Sequence, residues 1–220
     1  MALRNMPRKV SVEMNSQLDQ PFTKADITEA LSQMHPTKAL GLNGLPAVFF
    51  QKHWNSVSEW VIATCLHILN DGGNIAPLNP KIAKPRTVME YRPISLYNVI
   101  YRIIAKTIVN RLKLILDHVI SPTQSAFVPN RLITDNIIIG YKCLHKIRHC
   151  KNKKHGLVAL KLDIGKAYDS VEWKFLKCTM ERLGFSHKWV ELVMRCISTP
   201  SFSVLINGVA KCLIQLITLI

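Results

Sequence analysis

The sequence predicts an α+β protein, rich in helix and carrying a short antiparallel sheet. Three observations lead there. Between residues 24 and 148 apolar side chains recur mostly at helical spacing. Leu157 to Ile164 alternates with the two-residue period of a strand. Near the end, Asn207-Gly208 stands between two β-rich runs, the pattern of a hairpin closed by a type I′ turn. With 48% hydrophobic residues among 220, the chain has the apolar content of a folded core and not of a disordered segment.

Residues 1–22 show no strong period and are expected to be a lead-in. Thr23 then offers an N-cap with Asp26 three residues on, and Ile27, Ala30, Leu31 and Met34 follow at helical spacing, so a helix is expected from about Lys24 to His35. A turn-rich stretch, Lys38 to Pro46, precedes helical spacing from Ala47 to Leu69, with Phe49, Phe50, Trp54 and Trp60 as aromatic anchors. Residues 79–85 are short and broken by prolines. Arg92-Pro93-Ile94-Ser95-Leu96 is extended, because a residue before proline is pushed out of the helical region.

From Asn98 as N-cap, a long helix places Val99, Ile103, Ile104, Ile108, Leu112, Ile115 and Leu116 on one face and Arg102, Lys106 and Lys113 on the other. Ser121-Pro122 stops it. A polar turn region follows, then a helix from about Thr134 to Cys150 with Lys142, Lys146 and Arg148 on its exposed side. After the strand at 157–164, a helix through Val171, Leu176, Met180 and Leu183 closes at Gly184, with Phe185 packing back. Ser186 caps the next, which carries Val190, Val193, Met194 and Ile197 and ends before Pro200. The hairpin then spans Phe202 to Leu213.

The charge is unbalanced and patterned: 29 Lys and Arg against 14 Asp and Glu, a formal +15 at pH 7. No acid falls between Glu90 and Asp117, where Arg92, Arg102, Lys106, Arg111 and Lys113 lie, or between Asp135 and Asp163, where seven basic residues lie. Such blocks attract polyanions, and a nucleic-acid backbone is the natural one. Lys151, Lys153 and Lys154 read at least as well as a solvated loop tip as a phosphate contact, with a short nuclear-import signal as a third reading.

The longest apolar runs, such as Leu213 to Ile220, fall short of the roughly 18–20 residues of a membrane span. No membrane partner is expected. The N-terminus is charged without an apolar signal region, so an intracellular, reducing location is expected. The six cysteines are expected to be core thiols. Cys143, His145, His149, Cys150 and His155 lie close in sequence, but no CxxC knuckle is present and no zinc is expected.

The informative segment is Leu160-Lys-Leu-Asp163-Ile-Gly-Lys-Ala-Tyr168-Asp169-Ser-Val-Glu-Trp173. A strand delivers Asp163 to its end, and a short turn brings an aromatic and a second carboxylate to the opening of a helix. That arrangement suits a divalent ion that takes carboxylate oxygens and substrate phosphates. Taken alone, an aspartate after a strand is more often a turn or cap residue, which is the plainer reading of Asp163, with Asp169 a first-turn carboxylate favoured by the helix dipole.

Asp163-xx-Lys-Ala-Tyr168-Asp169-Ser-Val resembles the first palm motif of the reverse transcriptases of non-LTR (LINE-type) retrotransposons, especially those of plants. Tyr91-Arg-Pro-Ile-Ser-Leu96 resembles the family's fingers motif, Gln124-Ser-Ala-Phe127 with Arg131 the next, and Lys38-Ala-Leu-Gly-Leu-Asn-Gly44 the upstream loop. The resemblance runs from about Pro7 to Leu213. It implies a right-hand polymerase with a fingers-like region at 23–156 and a partial palm at 157–220, evolved for RNA-templated DNA synthesis.

By that resemblance Asp163 is the catalytic metal ligand, with the Ile164 carbonyl beside it, for Mg²⁺ or alternatively Mn²⁺. Tyr168 would stack below the nucleotide sugar and select deoxynucleotides. Arg92 would grip the triphosphate with help from Lys81, Lys84 or Arg86, and Gln124, Phe127 and Arg131 would line the template. Guanidinium forks fit phosphate oxygens, and an aromatic wedge discriminates sugars by shape. The structural alternatives are Tyr168 in the core and Arg92 as an exposed side chain before proline. The implied partners are an RNA template, a DNA primer or RNA–DNA hybrid, and deoxynucleoside triphosphates; nuclear location is implied by the resemblance only.

After Asp169 the acids are Glu172, Glu181 and Glu191, all within expected helices. The paired aspartates of the family's later palm motif have no counterpart among these residues. Leu40, Leu42 and Asn43 replace the usual Pro, Pro and Asp, and Gly165 stands where a bulkier residue is common. A truncated or decayed copy is therefore expected, inactive as an isolated chain. The competing expectations are a non-enzymatic nucleic-acid-binding module and an unstable pseudogene product.

Overall fold

Capping chemistry sets several helix boundaries in the computed structural model, which describes residues 6–37, 45–78, 80–83, 98–126, 128–149, 157–160, 162, 171–199, 201–206 and 209–215. In order these form α1 (Val12–Leu18), α2 (Lys24–Ser32), α3 (Ala47–Lys52), α4 (Trp54–Asn70), β1 (Pro80–Ala83), α5 (Val99–Lys113), α6 (Leu116–Val119), α7 (Ile133–Arg148), α8 (Trp173–Leu183), α9 (His187–Ser198), β2 (Ser201–Ile206) and β3 (Val209–Gln215). At the start of α2 the Asp26 amide donates to Thr23 Oγ1 at 3.3 Å while the Thr23 amide donates to Asp26 Oδ2 at 2.8 Å, a reciprocal cap. Asn98 Oδ1 accepts from the Ile100 amide at 3.1 Å at the start of α5, and Ser186 Oγ accepts from the Trp189 amide at 3.1 Å in α9. Between α8 and α9, Gly184 takes φ +96°, and the Phe185 amide reaches back to the Met180 carbonyl at 3.2 Å.

One core joins the two halves of the chain. Ile27, Ala30 and Leu31 of α2, Val61, Cys65 and Ile68 of α4, Val99, Ile103, Ile104 and Ile108 of α5, and Met180, Trp189, Val190 and Cys196 of α8 and α9 belong to it. Burying each of the larger aliphatic side chains contributes about 1.5–3 kcal/mol. The Tyr101 hydroxyl crosses this core to donate to the Cys196 carbonyl at 2.7 Å. Helices α8 and α9 are thus part of the same packed body as α2, α4 and α5, although the expected domain boundary falls at 156/157.

Residues 6–22, expected as a lead-in, supply Val10, Leu18 and Phe22 to that core. Helix α1 has seven residues, too few for a helical period to stand out. The helical stretch expected over 47–69 is divided at His53, whose φ of −102° and ψ of 22° end α3 and begin α4. Trp60, expected as an anchor, is 60% exposed, because α4 turns Val61, Cys65, Ile68 and Leu69 inward instead. The helix after Asn98 also breaks, at Leu114 and Ile115, before the short α6.

The alternation at 157–164 does not make a strand in the described part. Residues 157–160 and 162 are neither helix nor strand, and Val158, Leu160 and Leu162 are 88%, 78% and 80% exposed. A strand needs a neighbour to pair with, and the described strands pair with one another. The sheet order is β1-β2-β3. Strands β2 and β3 are antiparallel, with Ile206 opposite Val209 across the turn, and β1 lies parallel to β2 with Lys81 opposite Phe202. The described sheet is therefore mixed, where the sequence predicts an antiparallel one: β1 is four residues beginning at a proline and carries no alternating signal. Among the described residues no helix is long and apolar enough to cross a membrane.

Candidate functional site

Arg92, Phe127, Asp163, Ile164 and Tyr168 lie outside the described residues, as do Lys84, Arg86 and the Asn207-Gly208 turn. Two of the candidates, Gln124 and Arg131, are described, and the fold brings them together. The chain leaves α6, turns at Ser121-Pro122 and enters α7 after Arg131. Across that loop the Arg131 guanidinium donates to the carbonyls of Ser121 and Gln124, the latter at 2.7 Å, and meets Asp117 Oδ1 at 3.2 Å. Its side chain is only 18% exposed. Ser125 and Val128 are buried under the loop, and Asn130 takes φ +62°, a left-handed conformation that Asn tolerates.

Arg131 thus braces the loop from beneath, and Gln124 is the group left on the surface. Among the described residues the Gln124 carboxamide donates to the nearby Ala126 carbonyl, at 3.3 Å, and the residue is exposed. A planar amide held on a cross-braced loop can meet a base edge or a sugar hydroxyl with little ordering of the chain.

The basic surface is divided in a way that composition does not show. Arg111, counted among the polyanion-attracting block, turns inward: its guanidinium lies 3.5 Å from the centre of the Phe22 ring and donates to the carbonyls of Leu18, Gln20 and Pro21. It also meets Asp26 Oδ2 at 3.1 Å. Burial pulls this guanidinium below its usual pKa, and Asp26 pushes it back up. Lys142, Lys146 and Arg148, in contrast, are exposed on α7, a helix with no buried residue.

Helix α7 also carries a feature that the sequence motifs do not single out. The rings of Tyr141 and His145 are 6.2 Å apart between centroids, and those of His145 and His149 are stacked at 4.1 Å with an interplanar angle of 25°. The i, i+4, i+8 spacing is the signal for it, since residues four apart share a helix face. In the sequence His145 and His149 stand out only as candidate metal ligands. Among the described residues no group of three or more His, Cys, Asp or Glu could hold a metal ion.

A cleft of about 430 Å³ opens where the ends of α1 and α4 meet α9. Asp19, Asp71, Lys188, Trp189, Glu191 and Arg195 are among its lining residues, and none of the candidate residues is. The Trp189 indole N–H is buried and has no hydrogen-bond partner among the described residues.

The family described as reverse transcriptase (RNA-dependent DNA polymerase) matches residues 82–211. A 149 kDa uncharacterized protein of transposon TX1 from Xenopus laevis is 31% identical over 205 residues, which cover 90% of this chain. The chain spans about 15% of that relative's length.

Proposed function

Because the chain belongs to the reverse transcriptase (RNA-dependent DNA polymerase) family, we propose that it supplies the fingers scaffold and the first palm motif for RNA-templated DNA synthesis in a non-LTR retrotransposon. The observation that carries this reading is the extent of the family match, 82–211, which takes in Arg92, the Gln124 to Arg131 loop and Asp163 to Asp169 in one span. The fold class belongs with it: α+β, a right-hand polymerase's fingers with part of its palm.

In this reading Asp163 and the Ile164 carbonyl offer hard oxygen donors, which suit Mg²⁺ better than a soft metal. Such an ion, when bound, neutralises phosphate charge and organises the oxygens of the displacement. The protein's own groups do the positioning. Arg92 holds the triphosphate by a guanidinium fork, the Tyr168 ring rejects a ribose 2′-hydroxyl by contact, and Gln124 touches the template from its braced loop. Arg131 acts through the loop's shape.

The test is an anisotropy titration of a labelled RNA-template/DNA-primer hybrid in Mg²⁺, with the templated deoxynucleoside triphosphate and with a mismatched one. The matched nucleotide is expected to tighten the complex more than the mismatched one, and Asp163→Asn to remove the difference. Equal effects of all four nucleotides, with hybrid binding retained, would reduce the chain to a nucleic-acid-binding module and contradict the nucleotide site.

A further inference from the structure

From the stacked His145 and His149 rings of α7, with the Tyr141 ring tilted beside them, we infer a contact site for a single-stranded nucleic-acid segment, with Lys142, Lys146 and Arg148 alongside. The inference rests on the family reading for its partner class and adds to it a surface outside the motif residues. The rings are already ordered: His145 and His149 stack at 4.1 Å, and His149 Nδ1 lies 2.8 Å from the His145 carbonyl, which fixes the last ring against the helix end. Tyr141, 68% exposed, adds a third ring one turn earlier, tilted by 36° to His145 at 6.2 Å between centroids.

A stack of rings fixed in this way offers open ring faces and edges that unpaired bases can continue, with no sequence preference. Charge decides the occupant. Helix α7 has a single acid, Asp135, in its first turn, whereas Lys142, Lys146 and Arg148 stand exposed around the ladder. A flexible polyanion with flat aromatic groups matches that surface; an acidic protein face would match the charges and leave the ring ends unused. The base stack meets the rings while its phosphates meet the ammonium and guanidinium groups on either side.

The experiment measures binding of a labelled single-stranded RNA oligonucleotide, and of its DNA equivalent, to the 220-residue chain over a range of salt concentrations. The variants are Tyr141→Leu, His145→Gln and His149→Gln for the rings, Tyr141→Phe as the ring-retaining control, and Lys142→Ala with Lys146→Ala for the charges. Each ring loss is expected to weaken binding roughly fivefold to a hundredfold without altering its salt dependence. The double lysine change is expected to flatten the log–log salt slope by about 0.7 for each phosphate that is no longer neutralised. Tyr141→Phe should bind as the parent does. Because these positions are exposed, thermal melts of all variants should superimpose on the parent's.

Parent-like binding by all the ring variants would overturn the inference while leaving the family reading intact. Absence of any nucleic-acid binding by a folded parent chain would overturn both. Ring variants that keep RNA affinity but lose self-association in light scattering would assign the face to protein contact, against the inference. Equal RNA and DNA affinities support a stacking platform; a clear preference for RNA supports it with an added 2′-hydroxyl contact.

Discussion

Asn15 locks the corner between α8 and α9: its Nδ2 donates to the Gly184 carbonyl at 2.7 Å, and its Oδ1 accepts from the Ser186 amide at 2.8 Å. Both backbone groups belong to a helix junction, where intrahelical partners run out. Nearby, the Lys9 and Val10 amides both donate to the Leu183 carbonyl at 2.9 Å, and Ser186 Oγ donates to Asp19 Oδ1 at 2.7 Å. Asn15→Ala is expected to lower stability by about 1–3 kcal/mol, since it strands a part-buried donor and acceptor at once. Urea unfolding read by circular dichroism checks this, with Asn15→Asp losing only the donor and falling between the two.

Arg111→Lys should cost about 1–3 kcal/mol in the same measurement, because a lysine cannot reproduce the flat contact with Phe22 or the fork onto three carbonyls and Asp26. Its nucleic-acid affinity and salt slope should match the parent's. That separates it from the exposed basic residues of α7, which should change the slope and leave stability alone.

Trp189 is 1% exposed and its indole N–H has no partner among the described residues. Trp189→Phe keeps much of the packing and removes the stranded donor, so stability should stay within about 1 kcal/mol of the parent's. Trp189→Ala should lose about 3–5 kcal/mol through the cavity it leaves. A large loss in the phenylalanine variant would contradict the unpaired N–H.

Most helices are legible in the sequence because their signals are local. The Thr23 and Asp26 cap, the Asn98 cap, the Gly184 closure and the Ser186 cap each lie within a few residues of what they determine, and the apolar faces of α2 and α5 repeat over several turns. What the sequence hides depends on distant partners. Seven-residue α1 declares itself only through Val10, Leu18, Phe22 and Asn15, which are fixed by α4, α5 and the α8–α9 corner. The alternation at 157–162 has the right period, yet a strand's identity is completed by a neighbour. In the candidate site, Arg131 and Arg111 look alike in a count of positive charges. Only the fold shows that one braces a loop and the other grips a turn.

Cys65 and Cys196 are buried, and burial pushes each thiol up from 9.0 to about 12. Cys143 is exposed. Alkylation at neutral pH followed by peptide mass mapping should label Cys143 rapidly and reach Cys65 and Cys196 only after denaturant is added. Because these two thiols keep their protons longer in the folded state, the unfolded chain binds fewer protons above a pH of 9.0, and stability falls as pH rises. Their contribution is complete below 9.0 and is lost progressively toward about 12. A Cys65→Val, Cys196→Val double variant should therefore lose less stability than the parent across that window.

Equilibrium binding of an RNA–DNA hybrid with a single-stranded RNA overhang to the folded 220-residue chain, titrated at a series of salt concentrations, decides whether this fold handles a template and primer. The expected result is a complex at low salt that weakens linearly in a log–log plot, with a slope set by several phosphate contacts, and tighter binding than to a DNA duplex of equal length. A chain that melts cooperatively yet binds neither nucleic acid at low salt would refute the template-and-primer role.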